Sequence, residues 1–161
     1  MNTKRFVRTA LLTALACVLT IVPKVPMGAG YVHFGDCIIY TAAILLGPAA
    51  GAVVGAVGHS LADLISGFPA FCIPTLIIKG IMGFVIGKIV YGHIDVKRFI
   101  IGGIAALIIV TGGYFLAEWP MMGYETALIS LISSPIQWAM SMVASAVIIP
   151  ILIKNRNRIG F

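Results

Sequence analysis

Lys79 is the residue whose chemistry fits its surroundings least well. It follows Pro74 within an otherwise apolar run, and if Pro74 starts a helix, five residues of rise put Lys79 about 8 Å below that end. An ionised side chain at the centre of a membrane costs about 2.5–3.5 kcal/mol, so it needs a partner or a wet cavity. The carboxylates that could pair with it are Asp36, Asp63 and Glu118. Lys79 therefore either helps to bind a polar ligand or only extends to the interface.

Other polar side chains recur at three- and four-residue spacing, which places them on one face of a helix. In a membrane such a face normally points into protein. The polar faces are formed by His59 and Asp63; by Thr75 and Lys79; by Thr111, Tyr114 and Glu118; and by Ser130, Ser134, Gln137, Ser141 and Ser145. They either hold helices together or form a ligand site. From them we select Tyr114, Glu118 and Gln137 as candidate substrate-binding residues.

A metal site is the alternative for four of the polar residues. His33, Asp36, His59 and Asp63 carry imidazole and carboxylate groups, which suit several divalent ions. Only His59 and Asp63 share a helical face, however, and a histidine in a membrane more often makes a hydrogen bond between helices. We therefore predict no metal ion and no cofactor.

The composition indicates the class of protein. The chain has 161 residues, of which 60% are hydrophobic and 10% charged, whereas soluble domains have about 45–50% and about 25%. The 11 Lys and Arg residues outnumber the 5 Asp and Glu residues, and in so apolar a chain this excess indicates membrane topology rather than nucleic-acid binding. We predict an integral membrane protein with one domain, residues 1–161, no nucleic-acid partner, and no room for a catalytic domain.

The apolar runs predict the spans, each of which needs about 20 residues. Helices are expected over residues 6–22, 35–46, 49–66, 74–92, 99–117 and 126–153. The first run continues past Cys17, so we expect a retained helix rather than a cleaved signal. Gly47-Pro48 either turns the chain back, which gives six spans, or only kinks one long helix, which gives five.

The basic residues decide between these topologies, because cytoplasmic loops carry the excess of Lys and Arg. Nine of the 11 form three clusters: Lys4, Arg5 and Arg8; Lys88, Lys97 and Arg98; and Lys154, Arg156 and Arg158. Only six spans place all three clusters on the same side. We predict an all-α integral membrane protein with six transmembrane helices and both termini in the cytoplasm.

The predicted outer connections, residues 23–35, 67–74 and 118–126, are rich in aromatic and acidic residues. An aromatic belt at the membrane interface would explain the rings alone, but an external binding pocket would explain the acids as well. On this basis His33 and Phe71 join the candidate substrate-binding residues.

Several segments together resemble the S-components, which are the substrate-capturing membrane subunits of energy-coupling factor (ECF) vitamin transporters. The resemblance covers nearly the whole chain. It rests on Ala10-x-x-x-Ala14, Phe34-Gly35-Asp36, Leu46-Gly47-Pro48, the segment GHSLADLISG at 58–67, and the segment PTLIIKG at 74–80.

The resemblance implies a multi-pass protein of a prokaryotic plasma membrane that has no ATPase of its own and is not an enzyme. It implies docking through Ala10 and Ala14 to a transmembrane coupling protein, which joins two cytoplasmic ATPases. Asp36, Asp63 and Lys79 match positions in the ligand site or the network around it. The pattern looks most like the branch associated with riboflavin, pyridoxine and hydroxymethylpyrimidine, so the expected ligand is a small water-soluble vitamin or precursor captured at the outer face.

Two other classes of function stay open at this point. A self-contained ion-coupled carrier or channel would use Lys79 and its acidic partner as a charge relay. An intramembrane enzyme would need a metal ion or an activated nucleophile.

Overall fold

A computed structural model describes residues 3–27, 30–93 and 95–155. Arg156 and Arg158 of the third basic cluster lie outside these residues. The elements are α1 (Thr3–Ile21), β1 (Lys24–Met27), β2 (Gly30–His33), α2 (Asp36–Leu46), α3 (Pro48–Ile65), α4 (Cys72–Val90), α5 (Val96–Met122) and α6 (Tyr124–Lys154). A short 3₁₀ turn, Pro69–Phe71, precedes α4.

Most of the described chain is helical and apolar, as predicted for a membrane protein. Within the described residues, four helical segments are long and apolar enough to cross a bilayer: α3, α4 together with its preceding turn, α5, and α6. Helix α2 has 11 residues and rises about 16 Å, roughly half of the hydrocarbon thickness. Because α2 is short, its first residue, Asp36, lies inside the bundle rather than at its surface.

One element departs from the prediction of an all-α chain. Residues 24–27 and 30–33 form an antiparallel hairpin in which Val25 pairs with Val32 and Pro26 with Tyr31. The hairpin occupies the predicted outer connection between α1 and α2. Two such short strands are marginally stable by themselves, so their packing against the helices has to stabilise them.

The chain turns back at Gly47, which has a φ of +88° that favours glycine. A Cβ built on Gly51 would lie 2.8 Å from the Cβ of Ala43, so α2 and α3 run side by side in opposite directions. The guanidinium group of Arg5 donates a hydrogen bond to the carbonyl oxygen of Leu46 and satisfies an end group of α2. The structure therefore has a turn here and not a kink.

The bundle has two chemically different ends, because successive helices reverse direction. The basic end holds the start of α1, the turn at Gly47, the connection from α4 to α5, and the end of α6; its basic residues are Lys4, Arg5, Arg8, Lys88, Lys97, Arg98 and Lys154. The acidic end holds the hairpin, the connection from α3 to α4, and Gly123. Gly123 alone joins α5 to α6, with a φ of +90°, where the sequence predicts a longer connection.

Glycines bring α3 and α4 into close contact. A Cβ on Gly51 would lie 2.6 Å from the carbonyl oxygen of Gly83, and a Cβ on Gly55 would overlap the carbonyl oxygen of Lys79. Helices that meet at small residues approach closely. This contact sets the position of Lys79 relative to α3.

Candidate functional site

Asp36 is the centre of a buried polar cluster. Its carboxylate accepts two hydrogen bonds from Lys79 Nζ, at 2.8 Å to Oδ1 and 2.7 Å to Oδ2, and one from Gln137 Nε2 at 2.9 Å. Lys79 is 1% exposed and Asp36 is 2% exposed. Of the three acids that the sequence offers to Lys79, the structure therefore selects Asp36. The start of α2 also supplies the positive end of the helix dipole.

Two histidines complete this cluster. His59 Nε2 lies 3.1 Å from Asp36 Oδ1 without the alignment of a hydrogen bond, and both of its ring nitrogens are buried with no hydrogen-bond partner among the described residues. The His33 ring lies 5.2 Å from the His59 ring, and His33 Nδ1 accepts the Gly35 N–H at 3.1 Å. Burial lowers the pKa of His33 in the hairpin, so this ring is neutral near pH 7.

The cluster resembles a metal site in its ligand types. His33, Asp36 and His59 each offer one ligand atom, and these atoms lie within 4.8 Å of one another. Lys79, however, binds both oxygens of the single carboxylate. A divalent ion would add two positive charges to a buried group whose negative charge is already neutralised, which is costly. The arrangement therefore favours a hydrogen-bonded cluster over a metal site. That the protein binds no metal ion stays a prediction.

A cleft lies beside this cluster and opens at the acidic end. It contains about 620 Å³ of empty space, including its open mouth. Its aromatic lining residues are Tyr31, Phe68, Phe71 and Tyr114; its polar ones are His33, Asp63, Thr75, Glu118, Ser130, Ser133, Ser134 and Gln137; and its apolar ones are Met27, Val32, Val110 and Ile129. Sites for small ligands typically combine aromatic and apolar side chains with a few polar groups, as this lining does.

Asp63 is the carboxylate that the hairpin and α3 bring to this cleft. Tyr31 donates its hydroxyl hydrogen to Asp63 Oδ1 at 2.9 Å. Asp63 Oδ2 is buried and has no hydrogen-bond partner among the described residues. Nearby, the hydroxyl groups of Thr75 and Tyr114 are 3.0 Å apart. The cleft thus combines aromatic faces with hydrogen-bonding groups, one of which has an unused acceptor.

The structure arranges the predicted substrate-binding residues in two layers. Those that line the cleft are His33, Asp63, Phe71, Tyr114, Glu118 and Gln137. Asp36 and Lys79 lie behind this lining, and Gln137 joins the two layers because it lines the cleft and donates to Asp36. The ammonium group of Lys79 lies 5.7 Å from the centre of the Tyr114 ring.

Ala10 and Ala14 lie on α1 and are not among the residues that line this cleft. Both are exposed on one face of α1, and Ala10 belongs to the half of α1 that is nearer the basic end. Phe6 and Leu11 on the same surface are 58% and 65% exposed. The face is apolar and has small side chains at its centre.

Sequence reasoning missed several lining residues. Tyr31 and Phe68 belong to the predicted outer connections, which the sequence shows only to be rich in aromatic and acidic residues, and their ring centres lie 5.2 Å apart in the cleft wall. Thr75 shares the predicted polar face of Lys79 but is not among the predicted site residues. For these three the sequence held a usable signal, namely their place beside acids at one end of the bundle. Ser133 had no such signal, because it lies outside the regular spacing of the α6 serines.

Comparisons with known proteins agree with this architecture. The family model described as "ECF-type riboflavin transporter, S component" matches residues 1–158. The chain is 29% identical over 163 aligned positions to the thiamine precursor transporter HmpT of Lactococcus lactis subsp. cremoris (strain MG1363), with 99% of this chain and 94% of that protein covered. It is 35% identical over 108 residues to a Pyrococcus woesei protein named "uncharacterized protein in gap 3′ region", with 66% and 72% covered. The chain therefore belongs to the ECF-type riboflavin transporter S-component family, whose members are substrate-capturing membrane subunits of vitamin transporters rather than enzymes.

Proposed function

We propose that this chain captures a small aromatic vitamin or vitamin precursor in the cleft at the acidic end and delivers it inward with an ATPase module. The observation that carries the proposal is the cleft itself, where four aromatic residues and the carboxylates of Asp63 and Glu118 meet. A pyrimidine-sized ring is the first candidate, because the relative HmpT is named a thiamine precursor transporter. Pyridoxine and riboflavin are the next candidates.

The lining residues have separate roles in this proposal. Aromatic side chains such as Phe71 and Tyr114 stack on the heterocycle. Asp63, Glu118 and Gln137 bind its polar groups and orient it. Asp36 and Lys79 do not touch the ligand; they hold the amide of Gln137 in one orientation, because its nitrogen donates to Asp36.

The orientation in the membrane follows from the charge of the two ends. The basic end faces the cytoplasm, because inner loops carry the excess of Lys and Arg. Both termini then lie inside, the chain crosses the membrane six times with α2 crossing only part of it, and the cleft opens outward. The proposed location is the plasma membrane of a prokaryote, as the family resemblance implies, with the cleft facing the outside.

The exposed face of α1 is the docking surface for the rest of the transporter. Ala10 and Ala14 are exposed there, and small residues allow a second helix to approach closely. The partner is a transmembrane coupling protein that joins two cytoplasmic ATPases, as the family resemblance implies. Energy for uptake then comes from this module and not from the chain.

The ligand is tested by native mass spectrometry of gently purified protein, denaturing extraction, and calorimetry with hydroxymethylpyrimidine, pyridoxine and riboflavin. We expect one of them to bind. Phe71→Ala should weaken that binding about tenfold, since a stacked ring contributes about 0.5–1.5 kcal/mol beyond its buried area. Phe84→Ala is the matched control, because Phe84 is on α4, 44% exposed and outside the cleft lining. An empty protein that binds none of the three would contradict the proposal.

Coupling is tested by uptake into vesicles that contain the chain with or without the ATPase module. We expect uptake only with the module and ATP. Ala14→Trp should abolish uptake and leave ligand binding intact, whereas Ala139→Trp, at an exposed position of α6, should leave both intact. Uptake driven by an ion gradient in vesicles without the module would instead favour the self-contained carrier.

A further inference from the structure

The charged side chains that line the cleft are acids. Asp63 comes from α3 and Glu118 from α5, and the described residues that line the cleft include no Lys or Arg. The nearest buried cation, Lys79, is outside this lining and is bound to both oxygens of Asp36. No positive charge in this described lining is therefore available to neutralise an anionic ligand.

Asp63 has a specific unused capacity. It is 7% exposed; its Oδ1 accepts the Tyr31 hydroxyl, and its Oδ2 has no hydrogen-bond partner among the described residues. A buried carboxylate oxygen without a hydrogen bond is costly, and a donor that reaches it recovers that cost. An N–H or O–H group on a bound molecule would supply such a donor.

Glu118 adds a second acceptor on a different helix. It is 8% exposed and lines the same cleft as Asp63. Acids in a partly enclosed site interact more strongly with ligand charge than acids in water do, because the effective dielectric constant is lower. Asp63 therefore acts on any charge that enters, and Glu118 does so in its ionised form.

We propose that the cleft selects its cargo by charge: it accepts heterocycles that present hydrogen-bond donors to Asp63 and excludes the phosphate esters of the same molecules. This inference rests on the proposed function above and adds Asp63 as the residue that determines specificity. A phosphate monoester carries about −1.5 to −2 charges at pH 7, and juxtaposed like charges cost several kcal/mol. Phosphorylation of the cargo would then have to follow its uptake.

The test is calorimetry on the full chain in detergent with matched probes. Hydroxymethylpyrimidine, pyridoxine and riboflavin are each compared with their phosphate monoester and with an uncharged acetate ester that controls for added size. For the vitamin that binds, we expect the acetate ester to bind within about tenfold of the alcohol and the phosphate ester to bind at least about a hundredfold more weakly.

Asp63→Asn then tests the source of the discrimination, because it keeps the shape and removes the charge. It should weaken binding of the alcohol and reduce the penalty on the phosphate ester at least about tenfold. If this variant does not fold, Asp63→Glu serves instead: it keeps the charge, so a folded variant should retain the penalty on the phosphate ester, and loss of that penalty would overturn charge selection. Glu125→Gln is the control, because Glu125 is exposed at the same end and lies outside the cleft lining. This substitution should leave the ratio of the alcohol's affinity to the phosphate ester's affinity unchanged.

The outcomes separate the two proposals. A phosphate ester that binds as tightly as its alcohol overturns charge selection and leaves the capture function standing. An acetate ester that binds as weakly as the phosphate ester also overturns it, because size rather than charge would then exclude the ester. An unchanged ratio in a folded Asp63→Asn variant removes Asp63 from this role. Failure of every alcohol to bind contradicts the capture of these vitamins, and the charge selection fails with it.

Discussion

Replacing Lys79 with methionine removes the counter-charge of a carboxylate that is 2% exposed. Methionine is similar in length to lysine, so the change leaves little empty space. Asp36 would keep the 2.9 Å hydrogen bond from the Gln137 N–H. His59 Nε2 would remain 3.1 Å from Asp36 but without the alignment of a hydrogen bond. It would lose two hydrogen bonds of 2.7 and 2.8 Å together with the positive charge. Because this leaves a buried charge uncompensated, we expect the free energy of unfolding to fall by about 3–5 kcal/mol.

The double variant Asp36→Asn with Lys79→Met shows whether the lost charge pairing is the cause. It removes both charges and leaves an amide that can still accept from Gln137. Exchanging a complete buried pair for neutral groups is often close to neutral, whereas removing one partner is not. The double variant should therefore be more stable than Lys79→Met alone, with a coupling energy of about 1–3 kcal/mol.

Reversible unfolding in mixed detergent micelles, followed by loss of helical circular dichroism, measures both quantities. Lys88→Met is the control on the same helix, because Lys88 is exposed with its ammonium group 5.5 Å from the Phe84 ring, and its loss should cost less than about 1 kcal/mol. If Lys79→Met costs no more than Lys88→Met, or if the two single effects add without coupling, the reasoning from charge compensation is refuted.

Two further predictions concern the packing that supports the site. Gly83→Val should prevent accumulation of folded protein, because its Cβ would overlap the Gly51 carbonyl group; Gly112→Ala, whose Cβ would meet nothing within 4 Å, should be neutral or slightly stabilising. Normal yield of Gly83→Val in detergent would contradict the close contact of α3 and α4. Trp138→Phe should lower the free energy of unfolding by about 0.5–1.5 kcal/mol, because it removes the 2.7 Å hydrogen bond from the Trp138 N–H to the Gly103 carbonyl; an unchanged unfolding midpoint would contradict this.

The fold was largely predictable because its main signals are local. Apolar runs and charge clusters indicate membrane helices whatever their neighbours do, and Gly47 before Pro48 marks a turn that needs a left-handed backbone. The hairpin was not predictable in this way. Its strands have 4 residues each and contain Pro26, so the local sequence alone does not favour them over an irregular loop.

The candidate site was predictable in its residue types but not in its pairing. The spacing of polar residues selected Tyr114, Glu118 and Gln137, which line the cleft. It could not show that Lys79 pairs with Asp36, 43 residues away, while Asp63 pairs instead with Tyr31. Spacing along one helix fixes which side chains share a face, but it says nothing about which face of another helix they meet.

The sequence by itself determined that this is a helical membrane protein with most of its basic groups at one end and most of its acids at the other, because burial in lipid and local helix periodicity act on each segment separately. Only the tertiary structure decided which acid neutralises Lys79 and which acid faces the cleft with an unused oxygen. Those outcomes depend on contacts between distant parts of the chain. Asp36 and Gln137, for example, are 101 residues apart and are joined by a hydrogen bond. Contacts of that kind arise from the packing of the whole bundle, and no single segment encodes them.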